Sequence, residues 1–423
     1  MARRIDKILN EITTRYLESS DFNGVPLRWL ARVLRFRWSN FVREVEILLQ
    51  TGKVLILFSS TDVNTHILRL GSESLEIQIS KLPTADEHAC IYPTPSHLEA
   101  VVDRANYEGR PYTLSLALGA PQLRFRSFDL SVLEFYRNDP RYDYVTDEVR
   151  GRIYITTEYY EAKNVKKSDR IFLSTFGFCY DEDLNRAVAV YLRYLADLSP
   201  EHQQIWKAKE LEGDYKLHPD YYDNTIRGNW GTGISIFEAF MKELHIINQM
   251  AQAMERPPLF RSDFSDRDKP LEFSFLVRPT LREYNDFVLL LDKLLSENIN
   301  KEFFMNEVSD EYDEPRSDGK IVIRNKGTIT LLDEWIRAYF QTPDWEPINN
   351  MLETLRDVRK QRQQPAHKIN ENTFDQQFIH RQRELMIRAY AAVETLRSMF
   401  AFHPKCQSIE IDQLLLKGKI WPY

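Results

Sequence analysis

The chain has 423 residues, of which 43% are hydrophobic and 12% aromatic, and its formal net charge is −7. This composition excludes a disordered protein, and the length is too great for one ordinary core, so we expect two to three domains. No uninterrupted apolar stretch is long enough to cross a bilayer, and the charged N-terminus is unlike a signal peptide. Three scattered cysteines without a CxxC motif indicate reduced thiols in a cytoplasmic protein. Without an apolar span, no contact with membranes is expected.

Positive charge is concentrated at the N-terminus. Residues 1–72 contain eleven Lys and Arg against seven Asp and Glu, a net charge of +4, which leaves −11 for the rest of the chain. A basic segment on an acidic body is typical of proteins that contact nucleic acid through that segment.

Apolar residues recur at helical spacing in three short segments near the N-terminus. Two runs rich in β-forming residues then flank the polar segment 59–65, which predicts a β-hairpin. The predicted helices are about 5–16, 27–34 and 39–49, and the predicted strands are 54–58 and 66–70. Three helices followed by a hairpin resemble the winged helix-turn-helix family, whose third helix enters the major groove.

The winged-helix resemblance implies a nucleic-acid-binding role for Arg37, Asn40 and Arg43, which lie near the start of the third predicted helix. Residues 62–65 would form the tip of the wing. Winged helices also serve as protein-interaction and dimerisation modules, so contact with DNA, RNA or protein through this region remains open.

The middle of the chain predicts a small mixed α/β domain. Strands are expected at 112–118, 122–128 and 152–157, and helices at 96–107 and 184–198. Asp181 and Asp183 would cap the second helix and are not expected to bind metal, because residues two apart do not share a helix face. A run of aromatic and polar residues follows, and packing is favoured over stacking with unpaired bases. These residues are His202, Trp206, His218, Tyr221, Tyr222, Asn229 and Trp230.

The C-terminal region predicts an antiparallel bundle of four long helices. The amphipathic segments are 280–304, 328–340, 346–362 and 374–400. Thr280 and Glu283 are spaced as a capping box, and the acidic segment 306–318 is expected to be a solvated loop.

One arginine and one histidine stand at the junction of the third and fourth of these helices, in the segment Arg362-Gln363-Gln364-Pro365-Ala366-His367. A guanidinium offers a fork of donors to phosphate, and a histidine transfers protons near neutral pH. On a straight helix the two side chains would diverge by about 140°. Pro365 disfavours helical dihedrals at Gln364, so a break there would let both groups face one cleft.

This Arg-x4-His motif among amphipathic helices resembles the HEPN superfamily, over roughly residues 280–403. Many members are metal-independent ribonucleases of RNA processing, toxin systems and prokaryotic defence. The resemblance implies that Arg362 and His367 are catalytic, that Gln363 is the polar residue after the arginine, and that the site lies at a homodimer interface. The neighbouring Arg359 and Lys368 are expected to bind RNA phosphates. No metal or cofactor is expected.

The sequence therefore predicts a predominantly α, α+β protein. The expected domains are a winged-helix-like domain (1–80), a mixed α/β sensor or partner-binding domain (90–265), a HEPN-like bundle (272–405) and a C-terminal tail (406–423). The expected function is RNA cleavage by an anti-phage defence or toxin effector with regulatory N-terminal domains. The alternative is a non-catalytic DNA-binding regulator, or a protein-interaction scaffold that dimerises through the bundle.

Overall fold

The computed structural model describes residues 2–58, 73–162, 165–166, 169–229, 233–263, 269–305, 307–315, 321–363 and 371–422. About 52% helix and 16% strand confirm the α+β class. The chain divides into two compact units. Unit 1 comprises Met1–Thr146 and Arg150–Leu217, and unit 2 comprises Asp147–Val149 and His218–Tyr423. This division falls after Leu217, whereas the sequence suggests boundaries near residues 80–90 and 265–272.

The first three helices of unit 1 lie close to their predicted positions, because their apolar residues recur at helical spacing and are buried. Ile8, Ile12 and Tyr16 of the first helix are completely inaccessible to solvent. These helices are α1 (Ala2–Glu18), α2 (Leu27–Val33) and α3 (Trp38–Gln50).

A three-stranded antiparallel sheet accompanies these helices, in the order β1-β3-β2. The strand that pairs with Val54–Leu57 is Cys90–Pro93, far along the chain. The predicted second strand of the wing, 66–70, and the wing tip lie outside the described residues. The strands are β1 (Val25–Pro26), β2 (Val54–Leu57) and β3 (Cys90–Pro93).

The rest of unit 1 is built on a seven-stranded antiparallel sheet, in the order β5-β6-β7-β8-β4-β9 with β10 paired to β7. Its strands are β4 (Phe125–Phe128), β5 (Tyr142–Thr146), β6 (Arg150–Ile155), β7 (Phe172–Tyr180), β8 (Arg186–Tyr191), β9 (Glu210–Leu211) and β10 (Lys216–Leu217). Four short helices connect these strands: α7 (Glu134–Arg137), α8 (Thr157–Glu161), α9 (Leu192–Ala196) and α10 (Pro200–Lys207). Earlier in the chain, α4 (Leu75–Lys81) lies between β2 and β3, and α5 (Pro95–Val101) and α6 (Pro111–Ala117) lie between β3 and β4.

Two predicted elements of unit 1 are wrong. The segment 112–118 is not a strand: Pro111 occupies the first turn of helix α6, and Tyr112 and Leu116, four residues apart, are both buried. Residues 184–198 do not form one helix. Residues 186–191 belong to strand β8, which is buried on both faces, and the short helix α9 follows it.

Unit 2 is largely helical, and one continuous hydrophobic core joins its long helices. Helix α12 packs on α16, and α15 packs on both α13 and α16. The helices are α11 (Pro219–Arg227), α12 (Ile236–Ala253), α13 (Leu281–Leu294), α14 (Thr328–Tyr339), α15 (Glu346–Gln363), α16 (Gln377–Ala401) and α17 (Gln413–Leu416). Four of them, α13 to α16, correspond to the four helices predicted for the C-terminal region.

Local signals explain how α13 begins. The Glu283 backbone N–H donates to the Thr280 hydroxyl at 3.2 Å, as expected for an N-cap. The Glu283 carboxylate accepts from the backbone N–H groups of Val277 and Arg278, which lie three and two residues before the N-cap residue whose N–H a capping box uses.

Two parts of unit 2 differ from expectation. The acidic segment expected to be a loop contains strand β12 (Glu311–Pro315), which pairs with β13 (Ile321–Asn325) in an antiparallel hairpin. The C-terminal residues are not a separate tail. Leu415 is buried in the core, and β14 (Ile420–Trp421) pairs in parallel with β11 (Ile234–Ser235). In the part of the chain that the structure describes, no helix is long and apolar enough to cross a membrane.

Candidate functional site

Arg362 lies in the last turn of helix α15, where it is held by two carboxylates. Its Nη1 atom is 2.8 Å from Oδ2 of Asp292 and also donates to Oε1 of Glu297. Asp292 is completely inaccessible to solvent, whereas the Arg362 side chain is 31% exposed. The guanidinium therefore has an inner edge that neutralises a buried acid.

The Asp292 carboxylate is itself fixed by a chain of hydrogen bonds. The Ser296 hydroxyl donates to Asp292 Oδ1, and the Thr328 hydroxyl donates to the Ser296 carbonyl oxygen at 2.6 Å. These contacts connect the end of α13 to the start of α14. The Ser296 and Thr328 bonds hold Asp292 in place, and Asp292 in turn fixes the position of the Arg362 guanidinium.

The hydrogen bonds to Asp292 and Glu297 raise the pKa of Arg362 above its already high ordinary value. This arginine is therefore a permanent cation. Its Nη1 atom serves both carboxylates, and its Nε and Nη2 atoms form no hydrogen bond with any residue that the structure describes. Two parallel N–H donors of this kind match two oxygens of a phosphate group.

Of the other predicted residues of this site, the structure describes Arg359 and Gln363. Arg359 lies one turn before Arg362, with Nε 3.9 Å from Asp292 Oδ1, which is a weak contact. Gln363 is exposed at the end of the helix. Arg359, Arg362 and Gln363 share one side of α15, because residues three and four apart on a helix are neighbours. His367 and Lys368 lie outside the described residues, so the structure gives no distance between the arginine and the histidine.

Neither Asp292 nor Glu297 is predicted from the sequence, although Asp292 has a detectable signal. It stands four residues after Val288 and three before Leu295, and both are buried. An acid at an inward position of an amphipathic helix is a detectable signal, because a buried carboxylate needs a cationic partner. The partner itself is 70 residues away and could not be named from spacing.

A second polar network, not predicted from the sequence, includes two residues of α15, the helix that carries Arg362. The Tyr284 hydroxyl donates to Gln361 Oε1 at 2.8 Å, and Gln361 Nε2 donates to Asp357 Oδ2 at 3.0 Å. Arg388 donates to the same Asp357 oxygen at 2.7 Å. Burial raises the pKa of Tyr284, so its hydroxyl stays protonated as a donor. The network links α13, α15 and α16 close to Arg362.

The predicted N-terminal contact residues are exposed. Arg37 precedes the first residue of α3 without capping it through its side chain, and Asn40 and Arg43 follow on the helix surface. No hydrogen bond or ion pair joins these three side chains to another described residue. Trp38, which lies between Arg37 and Asn40, already has two partners. The Arg28 Cζ atom is 3.7 Å from its ring centroid, and its indole N–H donates to the Pro83 carbonyl oxygen at 2.8 Å.

The remaining candidates are structural. Asp181 Oδ1 accepts from the backbone N–H groups of Asp183 and Asn185, at 3.0 and 2.8 Å, and so shapes the turn before β8 rather than capping a helix. His202 and Trp206 are buried, and both bond to the Tyr136 hydroxyl. Within the described ranges, no group of three or more His, Cys, Asp or Glu residues could hold a metal ion.

Comparison with known proteins found no matching family model, no matching curated protein and no matching solved structure.

Proposed function

We propose that the chain is a HEPN-like metal-independent endoribonuclease that acts in prokaryotic anti-phage defence or as a toxin. The proposal is carried by one observation: Arg362 is anchored through Nη1, while its Nε–Nη2 edge has no partner among the described residues. An anchored arginine with one edge available is pre-organised to bind a phosphodiester, because little side-chain freedom is lost on binding. His367 follows five residues later in the sequence.

In the proposed reaction, the ribose 2′-oxygen attacks the adjacent phosphorus and the bond to the 5′-oxygen breaks. His367 takes the 2′-hydroxyl proton or gives a proton to the leaving 5′-oxygen. Arg362 stabilises the additional negative charge of the pentacoordinate transition state. The products are a 2′,3′-cyclic phosphate and a 5′-hydroxyl. In a symmetric homodimer both copies of the motif would share one cleft, so each subunit could supply one of the two roles.

The test is incubation of the purified chain with total RNA and tRNA in EDTA, with product ends captured as 2′,3′-cyclic phosphates. We expect cleavage by the wild type and a loss of about 10²-fold or more for His367→Ala, because a general acid or base contributes about that much. Arg362→Lys keeps a cation opposite Asp292 but removes the planar fork, so it should lose activity while remaining folded. His88→Ala, at an exposed position in unit 1, is the matched control.

Equal cleavage by the wild type and the His367→Ala and Arg362→Lys variants would refute the proposed site. Cleavage that disappears in EDTA and returns with a divalent ion would refute metal independence.

The second candidate is a nucleic-acid-binding regulator that uses the winged-helix-like region. The exposed side chains of Arg37, Asn40 and Arg43 support this candidate, since they have no partner among the described residues. Salt-dependent binding to duplex DNA that Arg37→Ala and Arg43→Ala weaken, without any RNA cleavage, would favour it. A scaffold function through protein contact would instead leave both nucleic-acid assays negative.

A further inference from the structure

An exposed row of aromatic rings lies on the open face of the large sheet in unit 1. Tyr154 of β6 is directly opposite Phe172 of β7, and their ring centroids are 6.2 Å apart. Tyr160 of α8 extends the row, with its ring 5.6 Å from that of Phe172. Neighbouring strand residues such as Ile153 and Leu173 point into the core and are completely buried, so the row occupies the outer face.

Two of the three rings are unusually accessible for aromatic side chains, and Tyr154 is half-buried. Phe172 is 51% exposed and Tyr160 is 43% exposed. Isolated exposed apolar residues are common, but three adjacent rings in contact leave a continuous surface whose burial would be favourable.

Each end of the row carries a guanidinium. The Cζ atom of Arg152 is 5.9 Å from the Tyr154 ring centroid, and that of Arg170 is 4.8 Å from the Tyr160 ring centroid. Neither arginine forms an ion pair with a carboxylate among the described residues. Asp143, opposite Tyr154 on β5, is exposed at the far edge of the row and bears the opposite charge.

We infer that this row, formed by Tyr154, Phe172 and Tyr160 with Arg152 and Arg170, binds single-stranded nucleic acid. Unpaired bases stack on exposed aromatic rings of a sheet, and guanidinium groups beside the rings bind the backbone phosphates. A protein partner could also cover aromatic rings. The row has a cation at each end instead of being a uniformly apolar patch, and this fits stacked bases with phosphates on either side better than it fits an apolar protein surface. A duplex would fit poorly, because its bases already stack on one another.

The inference does not depend on RNA cleavage. The probe is a fluorescein-labelled short 2′-O-methyl oligouridylate, which lacks the hydroxyl that the proposed reaction needs. Binding is measured by fluorescence anisotropy on the full chain, with a duplex of the same length as comparator. The variants are Phe172→Ala, the conservative Phe172→Tyr, and Tyr339→Ala as a matched control that removes an aromatic side chain 55% exposed in unit 2.

We expect single-strand binding that Phe172→Ala weakens by about 5- to 150-fold, since one stacked base is lost. Phe172→Tyr and Tyr339→Ala should bind like the wild type. Two phosphate contacts predict a slope of about −1.4 for log K against log salt concentration.

Three outcomes would overturn the inference. One is binding weaker than about 10⁻⁴ M, the level of general nonspecific association. Another is equal binding by Phe172→Ala and the wild type. The third is loss of self-association in Phe172→Ala, measured by sedimentation, without any change in oligonucleotide binding, which would make the row a protein interface.

Discussion

At the residue scale, the contact between Arg362 and Asp292 combines stability with the proposed chemistry. A carboxylate that is completely inaccessible to solvent is costly unless a cation compensates it. The arginine is thus required by the core of unit 2, whatever else it does. Loss of activity in Arg362→Ala alone would consequently say little about catalysis, and this is why Arg362→Lys is the more informative variant.

We expect Arg362→Ala to lower the free energy of unfolding by about 3 kcal/mol, because it leaves Asp292 buried without its main partner. The double variant Arg362→Leu with Asp292→Leu should recover most of that loss. Urea unfolding measures both. The control is Arg356→Ala on the same helix, whose ion pair with Asp333 is more exposed and should contribute less than about 1 kcal/mol. Equal losses for Arg362→Ala and Arg356→Ala would contradict the burial argument.

A second buried acid, Glu243, makes stability depend on pH. Its side chain on α12 is completely inaccessible, and its Oε2 atom is 2.6 Å from Nε of Arg397 on α16. Burial raises the pKa of Glu243 to about 7, although Arg397 acts in the opposite direction. The Tyr390 hydroxyl is 3.4 Å from the other carboxylate oxygen, and Glu394 adds a like charge.

The folded-state pKa of Glu243 is higher than the ordinary value of 4.5, so the folded state binds its proton more tightly than the unfolded state does. Its contribution to stability is complete below pH 4.5 and is lost as the pH rises to about 7. We expect a loss of about 3 kcal/mol over this window. The measurement is the difference in unfolding free energy between the wild type and Glu243→Gln across the window. We expect the unfolding free energy of the wild type to fall with rising pH relative to that of Glu243→Gln. If it stays constant or rises relative to that variant, the pKa of Glu243 is not raised in the folded state.

At the element scale, the last strand of the chain belongs to the architecture of unit 2. Trp421 of β14 donates its indole N–H to Asp220 Oδ2 at 2.9 Å, and its ring lies 4.9 Å from that of His218. Gly233 is packed so closely that an added Cβ would lie 2.3 Å from the Trp421 indole nitrogen. The strand therefore ties the C-terminus to the start of α11 and to β11.

We expect Trp421→Ala to lower the stability of unit 2 by about 2–3 kcal/mol, through lost packing and the loss of one hydrogen bond to Asp220 Oδ2. Trp421→Phe keeps the ring and should lose about 1 kcal/mol, the typical value of the hydrogen bond. Phe402→Ala, at a position 77% exposed, is the control and should change stability by less than about 0.5 kcal/mol. Thermal unfolding of the three variants distinguishes these values, and a Trp421→Ala protein as stable as the control would show that the strand is dispensable.

At the scale of the whole molecule, the proposed site implies a homodimer with both motifs in one cleft. Arg362→Lys and His367→Ala should each be inactive, and their mixture should recover part of the wild-type activity. The reason is that a mixed dimer holds one intact arginine and one intact histidine in its shared cleft. Cleavage is measured after subunit exchange, which is verified with two differently labelled copies. No recovery despite exchange, or a monomer by sedimentation, would rule out a shared cleft.

The sequence by itself determined the elements whose signals are local. Helices α1 to α3 and α13 to α16 follow from apolar residues three and four positions apart, and the start of α13 follows from Thr280 and Glu283. Helical hydrogen bonds and caps join residues close in the chain, so their pattern is visible in the sequence. The α+β class was predictable for the same reason.

Only the tertiary structure decided the contacts between distant residues. The apolar run around Val188 and Val190 is compatible with either a buried helix or a buried strand. It forms a strand because β4 and β7 pair with it on either side. The partners of β2 and β14 lie outside any local window. Likewise, the motif identifies Arg362 in the sequence, but not its partner. Arg362 is anchored because folding buries the Asp292 carboxylate, 70 residues away in the chain, and brings Arg362 closer to it than any other described cation.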